Sequence, residues 1–171
     1  MVIREPRRSD FDDLVKMYFS FFPEVNADPS FGLHLYRKRP NMKKQRKWFS
    51  GFMKDIKAGR VLACVAEVDS KVIGWCTVNT LVPGSPVDHR ASLGISVMKE
   101  FRGCGIGTSL LKATLKACRG KFEIIELDVF SNNKRAIRLY RRFGFTRYGH
   151  LPSATKRAGR YFDQDLMYLK L

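Results

Sequence analysis

Three glycines separated by single residues, Gly103, Gly105 and Gly107, stand between a β-rich run ending near Val97 and a helical stripe beginning at Ile106. That pattern can hold a phosphate. The first N–H groups of a helix lack carbonyl partners, and the helix dipole puts partial positive charge at the same end. Glycine removes the Cβ that would keep an anion off the backbone. Two well-known phosphate loops are excluded: no Gly-Lys-[Ser/Thr] closes the segment, and the spacing is not G-x-G-x-x-G. A tight strand-to-helix turn that binds nothing would use the same residues, so both readings stand at this point.

Further along lie side chains that can move protons. Tyr140 belongs to an apolar stripe with Ala136, Ile137 and Phe143 and reads as a core tyrosine, yet a phenol is also a proton donor. Asn133, in Ser131-Asn132-Asn133, is placed to cap a helix. Asp128 shares a strand face with Glu126, where a carboxylate either orders the strand–helix turn or accepts a proton. Glu67 and His89 are further candidate bases. His34, His89 and His150 are isolated, and Cys64, Cys76, Cys104 and Cys118 show no metal-ligand spacing, so no metal is expected. Cys64 and Cys76 fall on one predicted hairpin, where buried free thiols fit a reducing compartment better than a disulfide. No G-x-S-x-G elbow supports a hydrolase.

The elements that must position these groups follow from periodicity. A short strand at 2–4 leads to Ser9-x-x-Asp12, which reads as a capping box opening a helix over 10–21, with Pro23 and Pro29 bracketing a loop. Met42, Gln45, Phe49, Phe52, Met53 and Ile56 mark one face of a second helix that Gly59 ends. Strands at 61–68 and 72–80 turn at Asp69-Ser70. A strand at 91–98, a helix at 105–119, a strand at 122–130, a helix at 132–143 and strands at 145–149 and 161–171 complete an α/β sheet with at least one parallel pair. No repeat or linker divides the chain, and residues 1–171 read as one domain.

Composition limits the partners. With 32 Lys and Arg against 16 Asp and Glu, the net charge of +16 attracts polyanions, and residues 37–60 hold ten cations against the single acid Asp55. A docking face for an acidic partner and the solvated side of an amphipathic helix both account for that run. No apolar run nears the ~18 residues of a membrane span, and the charged N-terminal residues lack a signal-peptide stretch, so the cytoplasm is expected.

Two motifs together carry a family resemblance. Arg102-Gly103-Cys104-Gly105-Ile106-Gly107 is similar to the R/Q-x-x-G-x-G/A signature of GNAT acetyltransferases, and Asn133-Lys134-Arg135-Ala136-Ile137-Arg138-Leu139-Tyr140-Arg141-Arg142-Phe143-Gly144-Phe145 to their N-x-x-A-x-x-L-Y-x-x-x-G-F block. The match covers residues 61–171 well and the first 60 more loosely. It implies the GNAT acyltransferase fold: a mixed sheet of six to seven strands, about four helices, and a splayed strand pair forming an acetyl-CoA cleft. It implies acetyl-CoA as donor, its pyrophosphate held by Arg102, Gly103, Cys104, Gly105, Ile106, Gly107 and Thr108. Its pantetheine arm would meet Ile95 and Val97 on the splayed strand, and Asn133. Tyr140 would protonate the departing thiolate. Asp128 corresponds to the base in some members, while others use water relays.

The implied reaction is direct attack by a neutral amine through a tetrahedral intermediate, without metal. Asp88-His89-Arg90-Ala91 and the segment from Ala158 to Met167 resemble the branch that acetylates small amino acids and related amines. Protein N-terminal or lysine acetylation is the alternative, and a CoA-binding or RNA-associated module without turnover a second. The oligomeric state is left open, dimers being common in that family.

Overall fold

A computed structural model describes all 171 residues. In chain order the elements are β1 (Val2–Arg4), α1 (Phe11–Ala27), α2 (Met42–Lys57), β2 (Val61–Val68), β3 (Lys71–Thr80), β4 (Arg90–Val97), α3 (Ile106–Cys118), β5 (Ile124–Phe130), α4 (Lys134–Arg142), β6 (Thr146–Arg157) and β7 (Arg160–Lys170). One seven-stranded sheet runs in the order β1-β2-β3-β4-β5-β7-β6. Every neighbouring pair is antiparallel except β4 and β5. The expected mixed sheet with four helices is therefore present.

Each face of the sheet has its own core. On one side Ile106, Leu110, Leu111, Leu115 and Cys118 of α3, with Ile137 and Tyr140 of α4, bury against Cys76, Val78, Ile125, Leu127 and Met167. On the other side Leu14, Met17 and Phe21 of α1 and Phe49 and Phe52 of α2 cover Val61, Ala63, Val65 and Val72. Because α1 and α2 sit over β2 and β3, the same face of β4, β5 and β7 is left without a helix. No helix is long and apolar enough to cross a membrane.

Three local expectations are revised. α1 does not stop before Pro23 but continues to Ala27. Proline cannot donate to the carbonyl of Phe19 four residues back, and Arg39 Nη2 lies 3.4 Å from that oxygen instead, with its guanidinium over the Phe19 and Phe22 rings. The first helical turn is organised by Asp10 rather than Ser9: Asp10 Oδ2 accepts from Arg7 N at 2.7 Å. The strand expected to end at Gly149 runs on to Arg157, because Pro152 and Ser153 fall in an irregularity of the β6–β7 ladder where no ladder N–H is needed. There Ser153 N donates to Asp163 Oδ1 at 2.8 Å. Cys64 and Cys76 are direct cross-strand partners, and all four cysteines are free thiols.

The N-terminal edge is tied by one part-buried charge cluster. Arg4 donates to both oxygens of Asp10 at 2.8 Å and through Nε to Glu67 Oε2 at 2.7 Å. Burial alone would push the Asp10 carboxyl up, but hydrogen bonds from Arg4 and Arg7 outweigh it and hold it below the usual carboxylate value. Arg4→Met strands that carboxylate, and we expect a loss of about 3 kcal/mol in urea denaturation at pH 7. A depressed carboxyl stabilises the fold above its unfolded pKa and ceases to do so as pH falls through its folded one. The deficit of the variant should therefore shrink below about pH 4 as the stranded carboxylate takes up a proton.

Candidate functional site

The parallel pair β4–β5 holds for only three residue pairs, ending at Ser92↔Glu126. Beyond that point β4 stays with β3 through Val97, and β5 stays with β7 through Phe130. A gap therefore opens between residues 93–97 and 127–130. Continued register would place Gly94 across from Asp128, so the strand opposite that carboxylate presents no side chain. A groove of about 630 Å³ leads from this gap along the glycine turn and α4.

At the outer end of the groove the backbone presents unpaired N–H groups. Gly103 and Gly105 have φ of +96° and +78°, a left-handed conformation that other residues adopt only at a cost. None of the amides from Gly103 to Thr108 donates to another backbone carbonyl, and no side chain caps α3. A Cβ built on Gly105 would meet no atom within 4 Å, so this side of the turn is open. A nest of free N–H groups at the positive end of a helix suits a phosphate or diphosphate. Ile106, Gly107 and Thr108 line the groove; Cys104 is exposed and outside its lining.

Arg102 also lines the groove, but its charge is engaged. Its guanidinium makes a two-point pair with Glu24 of α1 at 2.6 and 2.9 Å, while Nε donates to Val97 O at 2.8 Å. It also lies 4.8 Å from the centre of the Phe31 ring. The side chain thus fastens α1 and the segment between α1 and α2 to the end of β4, and its charge is already matched. The unmatched cations are Arg135 and Arg142, which line the groove and have no carboxylate partner. Arg135 Nη2 comes within 3.5 Å of where a Cβ on Gly103 would stand. Neither was singled out from the sequence, although their spacing of seven, with Leu139 between them, marks one helix face.

The candidate proton-moving groups, Tyr140 and Asp128, lie outside the groove lining, beyond its inner end. Ile95 and Val97 line the groove from β4 and Asn133 from α4. Asn133 caps α4, its Oδ1 accepting from Ala136 N at 3.1 Å. Tyr140 is buried among Phe145 and its neighbours and is not part of the groove lining. Its hydroxyl has no hydrogen-bond partner, and burial, then the charges of Cys76 and Asp128, push the phenol well above its usual value. Asp128 projects from the helix-free face of β5. His34 Nε2 lies 3.3 Å from its Oδ2, and Gln164 Nε2 donates to the same oxygen at 3.1 Å. The hydrogen bond from His34 outweighs burial and holds the Asp128 carboxyl below the usual carboxylate value.

The other two candidate bases lie elsewhere. Glu67 is taken up by Arg4 at the β1–β2 edge. His89 precedes β4 at the end opposite the gap. His34 and Gln164 are the residues the sequence did not reveal, since nothing local ties positions 34, 128 and 164 together. No three His, Cys, Asp or Glu side chains gather as a metal site would require.

Residues 12–145 match the profile described as the acetyltransferase (GNAT) family. An uncharacterized N-acetyltransferase of Methanocaldococcus jannaschii is 34% identical over 151 residues, 84% of this chain and 59% of that protein. The L-amino acid N-acetyltransferase AaaT of Escherichia coli is 31% identical over 102 residues, 58% of this chain and 62% of that protein. The match therefore spans about three fifths of the length of these curated relatives. The structure of yncA from Salmonella typhimurium with its cofactor acetyl-CoA superposes with a TM-score of 0.85 over 100% of this chain and 94% of that one. At 19% identity this likeness establishes the fold.

The two kinds of arginine should separate experimentally. With ADP as a diphosphate probe, the pair Arg135→Ala, Arg142→Ala is expected to weaken binding at least ~10-fold and to flatten its salt dependence, read by calorimetry at two ionic strengths. Arg102→Gln should instead lower stability by about 2 kcal/mol, because it strands the part-buried Glu24, while the salt dependence of ADP binding persists.

Proposed function

The chain belongs to the acetyltransferase (GNAT) family, and from that premise we propose that it moves the acetyl group of acetyl-CoA onto the primary amine of a small amino acid or a related amine. The observation that carries this reading is the opening between β4 and β5, beside a groove lined by an anion nest, with Tyr140 and Asp128 outside that lining on the two faces of the sheet. The donor is a substrate, and the residues present suit it. The free amides of 103–108 and the unpaired Arg135 and Arg142 face a diphosphate. The strand edge of β4, freed where β5 departs, offers backbone groups to an extended arm. Asn133 keeps its side-chain N–H₂ for the same arm, since only its oxygen is used in capping.

The division of labour follows from the two environments. A phenol raised by burial stays protonated through neutral pH, which fits Tyr140 as the donor to a departing thiolate and not as a base. Asp128, on the other face, stays ionised and favours an approaching ammonium. Glu126 adds a second carboxylate to that face, paired with Arg90. Attack by the neutral amine puts negative charge on the carbonyl oxygen, which unpaired backbone N–H groups along β4 are suited to stabilise.

A small acceptor is supported by the name of the Escherichia coli relative and by the walls of the gap. The segment between α1 and α2 lies across the end of β5: Arg157 donates to Pro29 O, Phe31 O and Leu33 O at 3.1, 2.8 and 2.7 Å, and Asn132 Nδ2 to Ser30 O at 3.2 Å. A wall held at four points leaves less room for a polypeptide than for an amino acid. In this reading the cations of α4 serve the phosphorylated donor and not nucleic acid.

Acetyl-CoA should bind the parent with micromolar affinity in calorimetry, and acetylation should then appear in a screen of L-amino acids, spermidine and an alanine-initiated peptide. Tyr140→Phe is expected to keep the dissociation constant within about threefold and to lower kcat ~100-fold or more. No binding by the parent would sink the reading, and turnover of the peptide alone would move the acceptor to protein N-termini.

A further inference from the structure

We propose that the outward face of α2 docks the phosphate backbone of double-stranded RNA. The inference is independent of the acetyl-transfer reading, since no residue of α2 lines the groove.

Five cations of α2 form one stripe. At about 100° per residue, Lys43, Arg46, Lys47, Lys54 and Lys57 fall within a sector about 100° wide. All five are exposed, and the sector lies opposite the buried Gln45, Phe49 and Phe52. At a rise of ~1.5 Å per residue the stripe is about 21 Å long. Ser50, also exposed, is the uncharged residue within it. The single acid of the helix, Asp55, stands beside the stripe and accepts from Arg60 Nε at 2.9 Å. None of the five cations forms an ion pair. Lys121 continues the charge past the end of α2, its Nζ 2.9 Å from where a Cβ on Gly59 would stand.

A helix face that met only water would gain nothing from this arrangement. Opposite charges three or four residues apart support a helix, and like charges weaken it. Lys43 faces Arg46 and Lys47 at those spacings, and Lys54 faces Lys57, so every such pair on the stripe repels. Lys43 and Lys44 also stand in the first turn, at the positive end of the helix dipole, with no acid there. Packing of the apolar face holds α2 in place despite this. A polyanion along the stripe would turn the repulsion into attraction.

The class of polyanion follows from what the stripe lacks. A bilayer interface takes up the apolar side of an amphipathic helix. Here Phe49 and Phe52 are spent on the sheet, and Trp48 is held 5.5 Å from the Phe52 ring and 5.8 Å from that of Trp75. A protein partner is held by aromatic or aliphatic anchors at the centre of the contact, and the stripe offers none. Single-stranded nucleic acid needs free aromatic rings to stack its bases. The phosphates of a duplex need only cations in line.

The form of the duplex follows from the mounting of α2. The helix packs on β2 and beside α1, so it cannot sink into the major groove of B-form DNA as a recognition helix does. It also directs no free Asn, Gln or acid outward to read base edges, Asn41 being the cap and Gln45 buried. An RNA duplex is recognised mainly through phosphates and 2′-hydroxyls. Lysine and arginine side chains suit the first, and the Ser50 hydroxyl the second.

The test follows the fluorescence anisotropy of a labelled RNA duplex of about 20 base pairs with the full chain, from about 50 to 200 mM KCl. The parent should bind, and log Kd should rise linearly with log salt concentration. The triple variant Lys43→Glu, Lys47→Glu, Lys54→Glu is expected to weaken binding at least ~10-fold at low salt and to lower that slope by about 3. Its circular dichroism spectrum should match the parent's, since all three side chains are exposed. If the spectrum changes, Lys43→Gln, Lys47→Gln, Lys54→Gln gives the same reading with smaller perturbation. The control Lys112→Glu, Lys116→Glu, Lys170→Glu changes net charge equally on exposed positions elsewhere and should weaken binding less than ~3-fold. Saturating acetyl-CoA should leave RNA affinity unchanged, and DNA of the same sequence should bind more weakly. Equal loss in the two Glu variants overturns the proposal, because the attraction is then a diffuse field. Displacement by acetyl-CoA overturns it by placing RNA in the groove, and DNA bound as tightly as RNA overturns the choice of duplex. Absence of RNA binding by the parent, whether or not phosphatidylserine vesicles bind it, overturns it outright. None of these results bears on acetyl transfer, which is read from turnover alone.

Discussion

The rest of the structure depends on one constraint: two parallel strands that part must each find another hydrogen-bond partner or leave backbone exposed. β4 and β5 separate after a single short stretch of pairing, and each remains tied on its other side, to β3 and to β7. The edge that opens between them is affordable because it lines a groove rather than an apolar core. That opening passes through the middle of the sheet, so a molecule seated beside α3 and α4 can be reached from the face that α1 and α2 leave bare. The cores on the two faces, unequal in extent, are what keep this route clear.

Charge is distributed to the same end. The chain has half as many acids as bases, and several of the acids sit at joints between elements. Glu24 with Arg102 joins α1 to the end of β4, Asp10 and Glu67 with Arg4 fasten β1, and Asp165 gathers Arg147, His150 and Ser131 at the outer hairpin. Such part-buried pairs place elements more than they add net stability. The surplus cations then fall where no acid meets them. Along α4, Lys134, Arg135, Arg138, Arg141 and Arg142 have no carboxylate partner, and two of the five face the groove. The field of the whole molecule and the local anion nest therefore act in the same direction.

What could be read from the sequence was local. The glycine turn, the stripe of α3 and the Asn133–Tyr140 helix are each set by residues a few positions apart, and the order of strands and helices followed from their periods. The course of α1 past Pro23 was not readable, because the group that satisfies the orphaned Phe19 carbonyl is Arg39, twenty residues on. The contact of Arg102 with Glu24 was hidden for the same reason: the two are 78 positions apart. The convergence of His34, Asp128 and Gln164 depends on loop closure over 130 positions at its widest, and no spacing rule reports on that. Periodicity fixes which face a residue occupies; only tertiary contact decides which charges are spent on structure and which remain for chemistry.

In the proposed reaction, the two proton roles fall to Tyr140 and Asp128, which the fold holds apart. Tyr140 lies in the α3–α4 core, where removal from water disfavours the phenolate. Asp128 lies across the sheet, where His34 and Gln164 favour the carboxylate. Each protonation state supports the other, since a carboxylate near the phenol raises the phenol further. Were both groups on one face, an acceptor ammonium and a departing thiolate would compete for the same water and the same protons. With the strand gap between them, the proposed reaction would place proton removal and proton delivery on opposite sides of a single opening. The splay that the cleft requires is thus also what keeps acid and base apart.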